Sequence, residues 1–514
     1  MLPNPLTTPA ALHRAETQWP DGVAIVDDQW GEPVSLTWPQ LADRVRAFAA
    51  GLIDLGVGHG DRVALWAPNS YHWPIAALGI QYAGAVLIPL NTRYTVSEAS
   101  DIIDRSGAKV VVVSGEFAGI NRLAEVLGSS IPDGRTIVSI PLDDDAAADG
   151  ALTWDAVMGS ATPELIGQAR DRAAAVREDD LSDILFTSGT TGAPKGVMAE
   201  HRQTVHGSHA WGANGRLTET DRYLMVNPYF HTFGYKAGIL PSLLFGTAMY
   251  PLAVYSPSVS MKKVAADQIT VFPGAPTIFQ TILDDPARAD YDLSSLRLIV
   301  TGATIVPVVL IERLQSDLGV ETVVTAYGQT ETSGFITTCR PDDDAVTVAT
   351  TCGRVFDGME VKLSDQGEVL TRGLMVMRGY LDNPEATAET IDADGWLHTG
   401  DIGELDDRGN LMITDRLKDM YICGGFNVYP AEVEQVLTRF PGVTEAAVIG
   451  IPDDRLGEVG KAFLTVKEGV QIDPAAVIAY AREHLANFKA PRVVEVVDAF
   501  PRNASGKILK RDRS

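Results

Sequence analysis

The run Thr187-Ser188-Gly189-Thr190-Thr191-Gly192-Ala193-Pro194-Lys195-Gly196 brings four hydroxyls, three glycines and one lysine into ten residues. Glycines let backbone amides approach a ligand closely, hydroxyls donate to phosphate oxygens, and Lys195 adds charge where a polyphosphate is most negative. Successive exposed N–H groups form a concave anion site. Leu181 to Phe186 reads as a strand that ends where the glycines begin, so the loop leaves a sheet with its amides exposed. The two commonest nucleotide loops are excluded, because neither G-x-x-x-x-G-K-[ST] nor G-x-G-x-x-G occurs. A plain Gly/Thr surface turn would have little reason to concentrate these groups.

Other runs add chemistry. Tyr327-Gly328-Gln329-Thr330-Glu331 follows the apolar stretch Thr322 to Ala326. A carboxylate just past a strand's C-terminal end can face the crevice where open α/β sheets bind ligands. Asp401 ends Gly395-Trp396-Leu397-His398-Thr399-Gly400-Asp401 and would, taken alone, form an Asx turn. Thr414-Asp415-Arg416-Leu417-Lys418-Asp419 is a charged segment that reads as either linker or hinge. Val300-Thr301-Gly302-Ala303-Thr304 is a strand-ending turn, and Pro501-Arg502-Asn503-Ala504-Ser505-Gly506-Lys507 puts a lysine in a turn near the carboxyl end. Asn227 to Lys236 is aromatic, with His231 at its centre.

Together these runs resemble the signatures of the adenylate-forming superfamily, which includes acyl-CoA synthetases, aryl-CoA ligases, luciferases and peptide-synthetase adenylation domains. The resemblance implies an AMP-forming acid–thiol ligase that uses ATP, Mg²⁺ and CoA. It implies that Thr187, Ser188, Gly189, Thr190, Thr191, Gly192 and Lys195 grip the pyrophosphate side of ATP. Gly302 and Ala303 would lie along the adenine, Tyr327 would stack on it, and Asp401 and Arg416 would hold the ribose. Thr330 would touch the α-phosphate and Glu331 would hold the metal. Lys507 would bridge the substrate carboxylate and the α-phosphate, stabilising the charge that develops as the new bond forms. Lys418 would be the hinge, and Gly424 and Gly425 would line the CoA path after domain rotation. Tyr229, Phe233, Tyr235 and Lys236 would form the acyl pocket. His231 either positions the acid or only packs, and both readings stay open. Cys423 is no nucleophile candidate, since no sequence neighbour obviously depresses its pKa and the attacking thiol belongs to CoA.

Over the whole chain the resemblance is nearest to actinobacterial acyl-CoA synthetases of sterol-ring catabolism, which implies a bulky alicyclic, steroid-derived propanoate. A ligase for medium-chain or aryl acids, or one that loads a carrier protein, shares the same signatures. A rival of another class is a catalytically silent nucleotide-binding protein, and the filled positions Glu331 and Lys507 argue against it.

The elements that must position these groups are legible in outline. Asp61 to Ala67, Pro74 to Ala83 and Ala85 to Leu90 make a strand–helix–strand pattern, and Lys109 to Val113 is an unbroken β-branched run suited to a buried strand. Short strands at Thr270 to Phe272, Leu296 to Val300 and Thr322 to Ala326 alternate with helical segments. The expected class is α/β, a large N-terminal domain (1–413) of mainly parallel sheets with a small antiparallel subdomain near 353–413. A hinge at 414–418 and a mobile α+β C-terminal domain (419–514) follow. In that domain one helix begins at Pro430, and another has Asp473 as N-cap.

With 514 residues, one hydrophobic core is not enough. Against 42 Lys and Arg stand 67 Asp and Glu, a net charge of −25 that argues against nucleic acid and anionic lipid as partners. The three cysteines, Cys339, Cys352 and Cys423, lack metal-ligand spacing and read as structural thiols of a reducing compartment. The amino terminus lacks a basic start and an apolar core, and no apolar stretch is long enough to span a bilayer without a proline or glycine break. A cytoplasmic location without integral membrane association is therefore expected, and a homodimer is left open.

Overall fold

The computed structural model describes residues 2–510 except 143–147, 188–193, 303–305, 417–418, 424–425, 454, 468, 486, 503–507 and 509; for 415, 416, 426 and 427 it describes the backbone alone. The chain forms two compact units. The first comprises Met1–Glu360 and Thr371–Leu397, the second Val361–Leu370 and His398–Ser514.

Two large sheets build the first unit. In the eight-stranded sheet the central strands Val86–Pro89, Arg62–Trp66, Val110–Ser114 and Thr136–Ile140 run parallel, as the strand–helix–strand pattern requires. The helix joining the first pair, His72–Tyr82, is buried at every residue, which explains why its apolar residues occupy all faces. Val110–Ser114 is likewise buried throughout. In the nine-stranded sheet, Ala248–Pro251, Arg222–Met225, Val271–Pro273, Leu298–Gly302 and Thr322–Tyr327 form a second parallel set.

The glycine-rich loop leaves the first of these sheets. Its strand, Leu181–Thr187, pairs parallel with Val86–Pro89 on one side and antiparallel with Lys195–Glu200 on the other, with Thr187 opposite Lys195. The loop is thus a hairpin connection, whereas a mononucleotide P-loop joins a strand to a helix.

In the second unit an antiparallel pair, Leu397–Leu405 with Leu411–Arg416, sets Asp401 opposite Arg416. A further sheet contains the long antiparallel pair Val443–Asp453 and Gly457–Val466. The helix Pro430–Leu437 buries Val433 and Leu437, and Pro474–His484 is capped by the Asp473 carboxylate, which accepts from the Ala475 N–H at 3.0 Å. Tyr421, Val428, Val448 and Leu464 complete this unit's core. The proposed hinge, 414–418, falls at the end of the strand Leu411–Arg416 and just beyond it.

All three cysteines are free thiols, and burial raises the pKa of Cys339, consistent with an inert packing role. Among the described residues, no helix is long and apolar enough to cross a membrane.

Candidate active site

Three chain segments of the first unit meet where the glycine-rich run begins and ends. Lys195 begins the strand that closes the loop, and Thr187 ends the strand that opens it. The Thr187 hydroxyl donates to the Lys195 carbonyl at 3.4 Å, which ties the loop's ends together. The short strand Gly379–Tyr380 pairs antiparallel with Lys195–Glu200 and carries Tyr380 to this position. The Lys195 ammonium lies 4.8 Å from the centre of the Tyr380 ring, a cation–π distance. The Tyr380 hydroxyl donates to Glu331 Oε1 at 2.8 Å. Burial, followed by the Glu331 charge, raises the pKa of that phenol, so Tyr380 remains a donor at neutral pH.

Glu331 sits in a tight turn just past the carboxyl end of Thr322–Tyr327, where Gly302, paired with Ala326, ends the neighbouring parallel strand. The turn closes sharply at Gly328: a Cβ there would stand 2.1 Å from the Gly334 carbonyl oxygen, so only glycine fits. Thr332 is buried and bonds back to Gln329 in both directions, and the Glu331 carbonyl accepts from the Met377 N–H at 2.7 Å. Tyr327, Thr330 and Glu331 stay half-buried, so their side chains keep surface that a ligand can reach.

The aromatic segment abuts this turn. A Cβ on Gly334 would lie 3.3 Å from that of Thr232, the residue after His231. His231 is exposed and opens a short helix, Thr232–Gly234, its Nδ1 accepting from the Phe233 N–H at 3.2 Å. That contact puts the ring proton on Nε2. The ring keeps surface open to solvent, and the protein mass around it still lowers the imidazole's pKa by desolvation. Phe233 is half-buried and meets Trp211 edge-on, with ring centres 6.3 Å apart, and Trp211 stacks on Phe335.

Three expected pocket residues lie elsewhere. Tyr229 and Tyr235 are 0% exposed and Lys236 is 1% exposed, so none presents surface to an acid in this structure. Tyr229 packs against Trp73, Tyr235 accepts from Gln81 Nε2 at 2.6 Å, and the Lys236 ammonium is 2.9 Å from Asp183 Oδ1. For Tyr235 and Lys236 the physical reason is the π-helix Tyr235–Ile239, which is buried along its whole length, and for Tyr229 it is the backbone N–H, which donates to Asn69 Oδ1 at 2.8 Å in the core.

In the second unit Asp401 is 3% exposed and its turn is firmly braced. Its N–H donates to Thr399 Oγ1 at 3.1 Å, while that hydroxyl donates to the Val369 carbonyl at 2.7 Å. Glu368 accepts from the Gly400 N–H at 3.0 Å and contacts His398 Nδ1 at 2.9 Å. Ser188, Gly189, Thr190, Thr191, Gly192, Ala303, Lys418, Gly424, Gly425 and Lys507 lie outside the described residues, as does the Arg416 side chain. Arg502 and Ile508 form an antiparallel bridge.

The sequence models of two family domains match this chain, the AMP-binding enzyme domain over residues 12–381 and its C-terminal domain over 432–507. Two relatives, from Mycobacterium tuberculosis and Rhodococcus jostii, are each 56% identical. Both are 3-[(3aS,4S,7aS)-7a-methyl-1,5-dioxo-octahydro-1H-inden-4-yl]propanoyl:CoA ligases. The matches cover 98% and 99% of this chain and 97% and 98% of the respective relatives. The chain belongs to the AMP-binding enzymes, as an AMP-forming acyl-CoA synthetase. A solved Mycobacterium tuberculosis fatty acyl CoA synthetase has the same architecture, with a TM-score of 0.76 at 30% identity, covering 99% of this chain and 97% of that one.

An acyl-CoA synthetase of this family uses ATP with Mg²⁺, and CoA as co-substrate. The donor at Glu331 fits Mg²⁺: one hard, half-buried carboxylate suits an ion that takes few protein ligands and completes its shell with phosphate and water. Sequence reasoning missed Tyr380, the residue that joins Lys195 to Glu331. The only local trace in the sequence is Gly379, which the short strand requires because its φ is 148° and a Cβ would press on Thr387 at 2.9 Å.

Proposed function

We propose that this acyl-CoA synthetase activates a bulky alicyclic, steroid-derived propanoate, the methylhexahydroindanedione propanoate for which its two relatives are named. The observation that carries this reading is 56% identity to both ligases along nearly the full length of each. Free cysteines and the supply of ATP and CoA fit a cytoplasmic setting.

The reaction logic follows from leaving groups. A carboxylate is a poor electrophile because its oxygen leaves badly, whereas an acyl-adenylate releases AMP readily. Loop residues 187–195 hold the pyrophosphate that departs when the carboxylate attacks the α-phosphate. Glu331 holds Mg²⁺, which supplies charge neutralisation on the phosphate oxygens. Tyr380 keeps the Glu331 carboxylate fixed, and Lys195 faces the departing charge. Gly302 and Tyr327 lie at adjoining strand ends and flank the adenine; Asp401 and Arg416 take the ribose hydroxyls. The acid enters at His231 and Phe233, with Trp211 and Phe335 behind. Lys507 completes adenylation, and rotation about Lys418 brings Gly424 and Gly425 to the CoA thiol, which attacks the mixed anhydride and expels AMP.

The test is CoA consumption across an acid panel containing sterol-ring propanoates, medium-chain fatty acids and aryl acids. The ring propanoate is expected to show kcat/KM at least roughly 10-fold above the others, the scale at which pocket contacts discriminate apolar groups. A preference for a straight-chain or aryl acid would overturn the substrate assignment. Transfer to a carrier protein in place of free CoA would overturn the thiol assignment.

A further inference from the structure

The ion pair between Lys236 and Asp183 is buried on both sides, at 1% and 0% exposure. It belongs to a wider polar network. Asp183 Oδ2 accepts from Ser182 Oγ at 2.6 Å and from Thr204 Oγ1 at 3.1 Å. Gln81 Nε2 donates to the Ser182 carbonyl at 3.0 Å and to the Tyr235 hydroxyl at 2.6 Å. Four elements are joined at one point: the strand Leu181–Thr187, the helices His72–Tyr82 and His201–Asn214, and the π-helix Tyr235–Ile239.

Stability alone does not account for this arrangement. Desolvating two charges offsets most of their attraction, and well-packed apolar residues of equal volume often hold a core as well or better. A buried pair does, however, penalise displacement, because any slide or rotation that parts the charges leaves each without compensation. Asp183 lies on the strand that ends at Thr187, where the phosphate loop begins, and Lys236 follows His231 and Phe233 in the segment at the acid. A π-helix is itself rare and occurs preferentially at functional sites.

We propose that the Lys236–Asp183 pair is a positioning device that locks the phosphate-loop strand to the acid-side segment, holding the carboxylate and the α-phosphate in line. This rests on the roles given to those two segments above. Misalignment of bound reactants lowers the rate of the chemical step more than it lowers affinity for either reactant.

The test uses the double variant Asp183→Leu/Lys236→Met beside the single variants Asp183→Asn and Lys236→Met. Each single variant leaves one buried charge without its partner and should lower Tm clearly. The double variant should recover most of that Tm and bind ATP with an unchanged Kd. Its kcat for acid-dependent ATP–pyrophosphate exchange should still be lowered by about 10-fold or more. Parental exchange kinetics at parental Tm would overturn the proposal and leave the pair as packing. Weakened ATP binding in the double variant would overturn it too, since the pair would then shape the loop itself. If that apolar pair does not fold, a second one that also removes the contact, Asp183→Val/Lys236→Leu, is measured against the same outcomes. The acid used is whichever the parent enzyme turns over best, so an error in the substrate assignment leaves this result interpretable.

Discussion

Lys195 with Tyr380 and Lys236 with Tyr235 are the same two residue types near the same chemistry, and the fold treats them in opposite ways. Lys195 is half-buried against a ring 4.8 Å away, which attracts the ammonium without neutralising it. Tyr380 directs its hydroxyl to Glu331. Lys236 is matched by a carboxylate at 2.9 Å, and the Tyr235 hydroxyl accepts from Gln81 in the core. The difference lies in the partner. A lysine facing a ring keeps charge for a ligand, whereas one facing a buried carboxylate has its charge compensated inside the protein. The first pair is suited to binding anions and the second to holding elements in register.

Lys507 tests the available-charge side of this comparison most strongly. It is assigned by resemblance to the place where adenylation charge develops, so Lys507→Ala should slow adenylation by roughly 10²-fold or more, the scale for one lost transition-state donor. Thioester formation from a supplied acyl-adenylate should largely survive. Equal loss of both half-reactions would break the account in which two arrangements of the C-terminal domain serve the two steps.

Tyr380 should give a smaller effect. Tyr380→Phe keeps the ring under Lys195 but removes the donor to Glu331, a hydrogen bond to a charged group. Loss of that bond should lower pyrophosphate exchange by about 10-fold and raise the Mg²⁺ concentration needed for half-maximal rate. A fall in Tm with unchanged Mg²⁺ dependence would instead place Tyr380 with the packing residues.

The parts of this arrangement visible in the sequence were those set by local pattern. Val110–Ser114 was legible because a strand covered on both faces needs no polar alternation, and Asp473 because a cap acts on the amides just after it. The strand Leu181–Thr187 was legible because the glycines of the following run mark where it ends. What escaped were pairings made across the fold. Tyr380 reaches Lys195 through a two-residue strand that no periodicity marks, nearly two hundred residues on. Lys236 reads as a pocket residue because lysines are almost never fully buried unless paired, and its partner Asp183 sits in a strand more than fifty residues earlier, with nothing in the local pattern to link the two. A π-helix has no sequence signature that distinguishes it from the α-helical turns on either side.

His231 stands between the two kinds of residue, and its replacements should have the smallest effects. Its Nδ1 caps the helix at Thr232, so His231→Ala should cost about 1 kcal/mol of stability through the lost cap. His231→Asn supplies another side-chain acceptor at the cap and should keep Tm close to that of the parent. The two substitutions therefore separate capping from contact with the acid. If the Nε2–H also donates to the substrate carboxylate, His231→Asn should raise the acid's KM several-fold at unchanged Tm. Desolvation lowers the folded-state pKa of His231, so the neutral ring is favoured on folding. Its contribution is complete above the unfolded value of about 6.5 and is lost as pH falls through the lowered folded value. The acid's KM should accordingly be flat above neutrality and change only on the acid side, and His231→Asn should abolish that change. A His231→Asn enzyme with parental KM throughout the pH range would leave His231 as a cap.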